Sequence, residues 1–118
     1  MSIQGIFYVA VHVSNLERSK RFYSEKLGWK LETNEPGVAG LRFGDGYVVL
    51  LADGTSSGNP SGMSVAVKVD SIEDEYSRLR ELGVDVTDLV SQPWGERSFG
   101  FKDPDGFDWS YGEINVDA

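Results

Sequence analysis

The stretch YVAVHVSNLERSKRFYSEKLGW, residues 8–29, decides the fold because its hydrophobic period changes once, at Ser14. Before Ser14, valine at positions 9, 11 and 13 alternates with Tyr8, Ala10 and His12. This period of two predicts a β-strand with one buried apolar face, while the other three side chains lie on the opposite face. The spacing of Ser14-Asn15-Leu16-Glu17 is that of a capping box, which predicts the start of a helix that Gly28 ends.

The same order of elements returns in SVAVKVDSIEDEYSRLRELG, residues 64–83. Valine again takes alternate positions, 65, 67 and 69, and leaves Ser64, Ala66 and Lys68 on the other face of a strand. A second cap at 70–73 opens a helix whose predicted apolar stripe consists of Ile72, Tyr76, Leu79 and Leu82. The chain therefore contains two copies of one pattern, in which Tyr8 corresponds to Ser64.

The rest of each half also has a counterpart. GLRFGDG at 40–46 matches GFKDPDG at 100–106, and each predicts a hairpin around an Asp-Gly turn, followed by strands at 47–51 and 107–111. The strand between helix and hairpin is predicted at 29–32 in one half and at 84–87 in the other. Each half is thus βαβββ, an α+β arrangement.

We expect one domain over residues 1–118, with module one at 5–53, a Gly- and Ser-rich linker at 54–62 and module two at 63–114. A half of this size cannot cover both faces of its sheet, so the two modules are expected to share one core. The helix of each module covers one sheet face, and the other faces are expected to form a cup.

With both halves aligned, the chain resembles the vicinal oxygen chelate superfamily, which includes glyoxalase I, extradiol dioxygenases and bleomycin-resistance proteins. The matching stretches are residues 8–29, the hairpin at 40–51, residues 64–83 and PWGERSFGFKDPDGFDWS at 93–110. The resemblance implies two βαβββ modules in an open eight-stranded, barrel-like cup. It also implies a homodimer.

In metalloenzymes of that superfamily, the first and last strand of each module supply the ligands of a divalent metal in the cup. The corresponding positions here are Tyr8 and Ser64 on the first strands, and Leu50 and Ser110 four residues after each turn glycine. None of these side chains is an imidazole, a thiolate or a carboxylate. We therefore expect no metal and no cofactor, as in the metal-free, drug-binding branch of the superfamily.

Strand phase assigns the remaining candidate ligand contacts. On 107–111 it turns Asp108 and Ser110 toward the cup and packs the aromatic residues 107, 109 and 111 on the helix side. Lys68 faces the cup, and Trp94 lies in a loop that could overhang its rim. His12, the single histidine, is expected to contact ligand and would be the general base if the protein is an enzyme.

Three hypotheses follow. The first is a metal-free protein that binds a small aromatic or cationic molecule, such as an antibiotic, through Tyr8, His12, Leu50, Ser64, Lys68, Trp94, Asp108 and Ser110. The second is a lyase, isomerase or dioxygenase of the superfamily, with a non-standard metal site or with His12 as base. The third is an interaction module whose cup is filled by side chains.

Composition limits the partners and the compartment. Nineteen acidic and eleven basic residues give a formal charge of −8, which argues against nucleic acid because phosphates repel an acidic surface. Cysteine is absent, so disulfides and thiolate metal sites are excluded and a reducing cytoplasm is expected. No apolar run is long enough to span a membrane, and the first residues lack the pattern of a secretory signal.

Overall fold

Each half of the chain is built from one strand, one helix and three further strands, in the predicted order βαβββ. The structure, a computed structural model, describes residues 2–52, 54 and 63–114. The chain divides into two compact units, Met1–Gly58 and Asn59–Ala118. The predicted linker, apart from Gly54, lies outside the described residues.

The first unit holds one open, mixed sheet of four strands. The elements of this unit are β1 (Val9–His12), α1 (Leu16–Arg21), a π-helical segment (Phe22–Lys26), β2 (Lys30–Glu35), β3 (Val38–Phe43) and β4 (Gly46–Leu51). The strand order in the sheet is β1-β4-β3-β2, in which β1 and β4 are parallel and the other neighbours are antiparallel.

The helix of the first unit begins one residue later than the capping box predicts. Asn15 is the N-cap, because its Oδ1 accepts a hydrogen bond from the backbone N of Arg18 at 3.1 Å. The Ser14 hydroxyl instead accepts from the Arg18 side chain at 3.0 Å. The last turn of the helix is π-helical, because the backbone N of Leu27 donates a hydrogen bond to the backbone O of Phe22. The helix ends at Gly28, whose φ of +76° favours glycine.

Alternation along the strands gives the first sheet one buried and one open face. Val11, Leu41 and Val48 are buried, as are Tyr23 in the π-helical segment and Leu27 directly after it, and α1 packs against β3 and β4. The opposite face, which the helix does not cover, is called the open face below.

The second unit repeats this topology. The elements of this unit are β5 (Val65–Lys68), α2 (Ile72–Glu81), β6 (Val90–Ser91), β7 (Glu96–Lys102) and β8 (Asp108–Ile114). The strand order is β5-β8-β7-β6, and β5 and β8 are parallel. The predicted strand at 84–87 is reduced to one bridge, between Val86 and Phe101, and the regular pairing with β7 is made by β6 instead.

Aromatic residues dominate the buried face of the second sheet. The prediction that Phe107, Trp109 and Tyr111 belong to the core is confirmed, since their exposed fractions are 7%, 1% and 2%. From α2, Ile72 and Leu79 are buried, as the apolar stripe predicts. Leu82 is 44% exposed, so its place in the stripe is wrong: α2 ends at residue 81, one residue before it.

The two hairpins differ in loop length. Phe43 pairs with Gly46, so the first loop has two residues, Gly44 and Asp45. Lys102 pairs with Asp108, so the second loop spans residues 103–107. This longer loop is organised by the buried Asp103, whose Oδ1 accepts from the backbone N of residues 105 and 107 at 3.0 and 2.8 Å. Equal distances from the turn glycine therefore reach opposite faces in the two modules.

No helix within the described residues has the length and apolar character that crossing a membrane requires.

Candidate functional site

A cavity of about 460 Å³ lies on the open face of the second sheet. Its size is within the range of small-molecule sites in proteins. It is only partly enclosed, and it is lined by Ser64, Asp85, Val86, Thr87, Gly100, Phe101, Lys102, Asp108, Trp109 and Ser110.

The floor of the cavity is glycine backbone beside a threonine hydroxyl. Gly100 N donates to Thr87 Oγ1 at 2.8 Å, and Thr87 N donates to Gly100 O at 2.8 Å. A Cβ on Gly100 would lie 3.4 Å from Trp109 O and 3.7 Å from Thr87 Oγ1, which is ordinary contact. The missing side chain therefore leaves space over the strand that a ligand can occupy.

Charged groups form part of the wall. The Lys102 ammonium and the Asp108 carboxylate form an ion pair at 2.5 Å across the β7–β8 rung, with 62% and 39% of the side chains exposed. Asp85 adds a second exposed carboxylate. With the hydroxyls of Ser64 and Ser110, the wall can donate and accept hydrogen bonds and hold an ionic group, which are the contacts of a binding site.

The predicted site residues of the second unit divide into two groups. Ser64, Asp108 and Ser110 line the cavity together. Lys68, at the end of β5, and Trp94 do not line it. Trp94 is 66% exposed, and its indole Nε1 donates to Glu96 Oε1 at 2.9 Å within its own loop.

Tyr8 and His12 belong to the first unit. Tyr8 precedes β1, is 46% exposed and packs its ring edge-on against Phe7 at a centroid distance of 5.2 Å. His12 is exposed at the end of β1, where it pairs with Leu51. The strand phase predicted for His12 agrees with this exposure. Ligand contact by either residue stays a prediction.

The prediction that Leu50 faces the cup is wrong. Leu50 is fully buried and lies opposite Val11 in the parallel β1–β4 pair, so both side chains are on the helix-covered face. The register gives Ala10 with Val49 and Ala66 with Ser110, so Val49 is the true counterpart of Ser110. Counting from the turn glycine failed because the two hairpin loops differ in length.

The residues at the superfamily's metal positions do not fit a divalent metal. After the correction, the first unit contributes a phenol and an isopropyl group, Tyr8 and Val49, and the second contributes two alcohols, Ser64 and Ser110. None of them is an anionic or imidazole donor. Within residues 2–52, 54 and 63–114, no three or more His, Cys, Asp or Glu side chains are grouped to hold a metal. No chemical step is therefore assigned to a metal.

The open face of the first sheet carries a cluster that the sequence analysis did not single out. The Tyr47 hydroxyl is 3.1 Å from Thr33 Oγ1, and the Arg42 guanidinium carbon lies 5.1 Å from the centre of the Tyr47 ring. Arg42 Nε also donates to Glu32 at 3.1 Å, and this hydrogen bond raises the pKa of Arg42. The internal repeat, which aligns Arg42 with Lys102 and Gly40 with Gly100, could have indicated both this cluster and the cavity.

Comparison with known proteins assigns the family. The profile of the Glyoxalase/Bleomycin resistance protein/Dioxygenase superfamily matches residues 5–111. The chain belongs to this superfamily. The resemblance inferred from the repeated stretches is confirmed, as is the α+β fold with two βαβββ modules.

Three similar proteins differ in the activity that their names state. A bleomycin resistance protein of Geobacillus stearothermophilus is 28% identical over 114 residues, with 81% of this chain and 86% of the relative covered. The crystal structure of TnmS3, an antibiotic binding protein from Streptomyces sp. CB03234, is 27% identical, has a TM-score of 0.83 and covers 98% of this chain and 99% of its own. A lactoylglutathione lyase from Agrobacterium tumefaciens, 19% identical with a TM-score of 0.80 and 96% of each chain covered, shares the fold.

Proposed function

We propose that the protein binds a small organic molecule in the cavity of the second unit and thereby sequesters an antibiotic. The observation that carries the proposal is the cavity itself, of about 460 Å³, with a glycine floor and hydroxyl and charged groups on its wall. Two of the superfamily members that resemble this chain are a bleomycin resistance protein and an antibiotic binding protein. Their similarity supports an antibiotic as the ligand.

The chemistry of the lining favours binding over catalysis. None of the described residues that line the cavity is a histidine or a cysteine, the side chains that most often act as general base or as nucleophile near neutral pH. The corrected metal positions carry no metal-binding donors either. We therefore place metal-free binding ahead of the enzyme that would use His12, and a ligand site ahead of an interaction module with a filled cup.

Calorimetric titration tests the proposal. Bleomycin and a panel of neutral, planar aromatic antibiotics are titrated into the protein and into Ser110→Phe, in which a bulky ring enters the cavity. Ser98→Phe is the matched control, because Ser98, on the neighbouring strand β7, lies on the same face of the sheet as Ser110 but does not line the cavity. We expect one ligand to bind the parent and the control but not Ser110→Phe. The proposal would be contradicted if none of the ligands gave a heat of binding, or if Ser110→Phe bound a ligand as tightly as the parent does.

The proposal includes a homodimer in the cytoplasm. Three apolar side chains near the N-terminus, Ile3, Ile6 and Phe7, are 81%, 88% and 89% exposed in the single chain. Exposed apolar side chains so close in sequence are typical of a surface that a partner covers, and a second copy is the partner that the superfamily resemblance implies. Light scattering after gel filtration measures the mass directly: a monomer would remove this part of the proposal.

A further inference from the structure

The open faces of the two sheets repeat each other rung by rung. In the first unit Gly40 pairs with Thr33 on one side and Val49 on the other. In the second unit Gly100 pairs with Ser110, and it exchanges two hydrogen bonds with Thr87 on its other side. Each module thus has a glycine between a threonine and the last strand.

The next rung also repeats, with one substitution. Arg42 pairs with Tyr47 in the first unit, and Lys102 pairs with Asp108 in the second. A cation therefore occupies the same rung in both modules, but the residue opposite it is an aromatic ring in one and a short carboxylate in the other.

The consequence is that the first module covers its glycine and the second does not. The Tyr47 ring lies over Gly40 so closely that a Cβ there would meet ring atoms Cε1 and Cζ at 2.8 Å. Over Gly100, the nearest atom to such a Cβ is the backbone O of Trp109 at 3.4 Å. The cavity of the second unit is open where Tyr47 fills the equivalent space in the first.

We propose that the cavity takes a hydroxylated aromatic ring, seated over Gly100 with its hydroxyl on Thr87 Oγ1, as the Tyr47 ring is seated over Gly40 with its hydroxyl on Thr33. The inference rests on the proposed function, because it names the ligand class of the same cavity. The phenol ring of Tyr47 therefore has the same chemistry as the group that we expect the cavity to bind.

Thr87 has the hydrogen-bonding capacity that this role needs. Its Oγ1 accepts one bond, from Gly100 N, and a hydroxyl oxygen can accept two. The contact in which Thr87 Oγ1 donates, to Asp88 O at 3.5 Å, is long and weak. Lys102 occupies the rung from which Arg42 contacts the Tyr47 ring, so a cation is also available beside the bound ring.

The experiment compares 2-naphthol with 2-methoxynaphthalene, which has the same ring but cannot donate a hydrogen bond. Binding is measured by tryptophan fluorescence and by amide chemical shifts in the parent protein and in Thr87→Val and Thr87→Ser. We expect the parent to bind 2-naphthol about tenfold more tightly than the ether, the gain of one well-made hydrogen bond. Thr87→Val should lose this preference, and Thr87→Ser should keep it.

A second variant tests the location independently of Thr87, whose hydroxyl also supports the backbone of Gly100. Asp108→Tyr places a tyrosine at the position equivalent to Tyr47, so that the cavity is filled from within. We expect it to bind neither probe, while the control Ser98→Tyr, which adds the same ring on the same face of the sheet but outside the cavity, still binds 2-naphthol. Far-UV circular dichroism confirms that all four variants are folded.

Four results would overturn the inference. They are failure of both probes to bind the parent, equal affinity for the two probes, a preference that survives in Thr87→Val, and binding that persists in Asp108→Tyr. The antibiotic titration tests the proposed function separately. An antibiotic without an aromatic hydroxyl that binds the parent but not Ser110→Phe would support the proposed function even if the inference fails.

Discussion

The carboxylate of Glu113, near the end of β8, accepts a hydrogen bond from the backbone N of Ile72, the first residue of α2, at 2.9 Å. Ser71 is the N-cap by position, but its side chain makes no capping hydrogen bond. The cap of α2 is thus supplied by a residue 41 positions away in the sequence. The negative charge also interacts favourably with the positive end of the helix dipole.

The Glu113 contact predicts a loss of stability when the carboxylate is removed. Glu113→Ala should lower the free energy of unfolding by about 1 kcal/mol, the usual cost of losing an N-cap. Glu113→Gln is the control, because its amide oxygen can still accept the hydrogen bond, and it should lose less. Urea denaturation followed by circular dichroism measures both. Equal losses would mean that the hydrogen bond contributes little.

Ser19, in α1, should be replaceable with a gain in stability. Its side chain is fully buried, and its Oγ has no hydrogen-bond partner in the structure. Ser19→Ala removes a buried polar atom at no cost in helix propensity, so we expect the free energy of unfolding to rise by about 1 kcal/mol. Ser77→Ala, at an exposed position of α2, controls for propensity alone. A gain no larger than that of the control would show that the Ser19 hydroxyl is satisfied in solution.

The reassignment of Leu50 and Val49 can be tested by a pair of truncations. Leu50→Ala should cost about 2–5 kcal/mol of stability, because it leaves a cavity in the core of the first unit. Val49→Ala, one residue earlier on the open face, should cost less than about 1 kcal/mol. Denaturant titration measures both values. The reverse order would place Leu50 on the open face after all.

Removal of the Tyr47 ring should create a second ring-binding position. In Tyr47→Ala the space over Gly40 is open, beside Thr33 and Arg42, so 2-naphthol should bind with two sites per chain instead of one. The amide signal of Gly40 should then shift during the titration. Tyr47→Phe keeps the ring over Gly40, and we expect it to retain a single site. A single binding site in both variants would mean that a ligand ring cannot take the position that the Tyr47 ring occupies over Gly40.

Much of the fold follows from local patterns. Alternating valines at 9–13 and 65–69 fix which strand faces are buried, because the side-chain period of a strand is two whatever it packs against. The predicted burial of Trp109 and Tyr111 holds for the same reason. The repeat of these patterns predicts two βαβββ modules, and the glycines at 28 and 83 mark the helix ends.

The site was predictable only where position in a strand sufficed. Strand phase turned Ser64, Asp108 and Ser110 toward the expected cup, and these three residues line the cavity of the second unit. Ligand contact by them stays a prediction. Leu50 was misplaced because its position was counted from the turn glycine, and a change in loop length by an odd number of residues reverses the face that such a count reaches. Thr87 and Gly100 were missed because neither residue type signals a site by itself.

The sequence by itself determined the duplicated α+β fold, the faces of the long strands and the absence of metal-binding donors at the superfamily's metal positions, because each of these depends on residue type and on near neighbours in the chain. Only the tertiary structure decided which of the two equivalent glycines, Gly40 or Gly100, lies under open space. That outcome depends on side chains that meet across strands: Tyr47 reaches over Gly40 to Thr33, whereas Asp108 pairs with Lys102 and leaves Gly100 uncovered. Contacts between residues distant in sequence are set by register, and register is a property of the paired strands rather than of either strand alone.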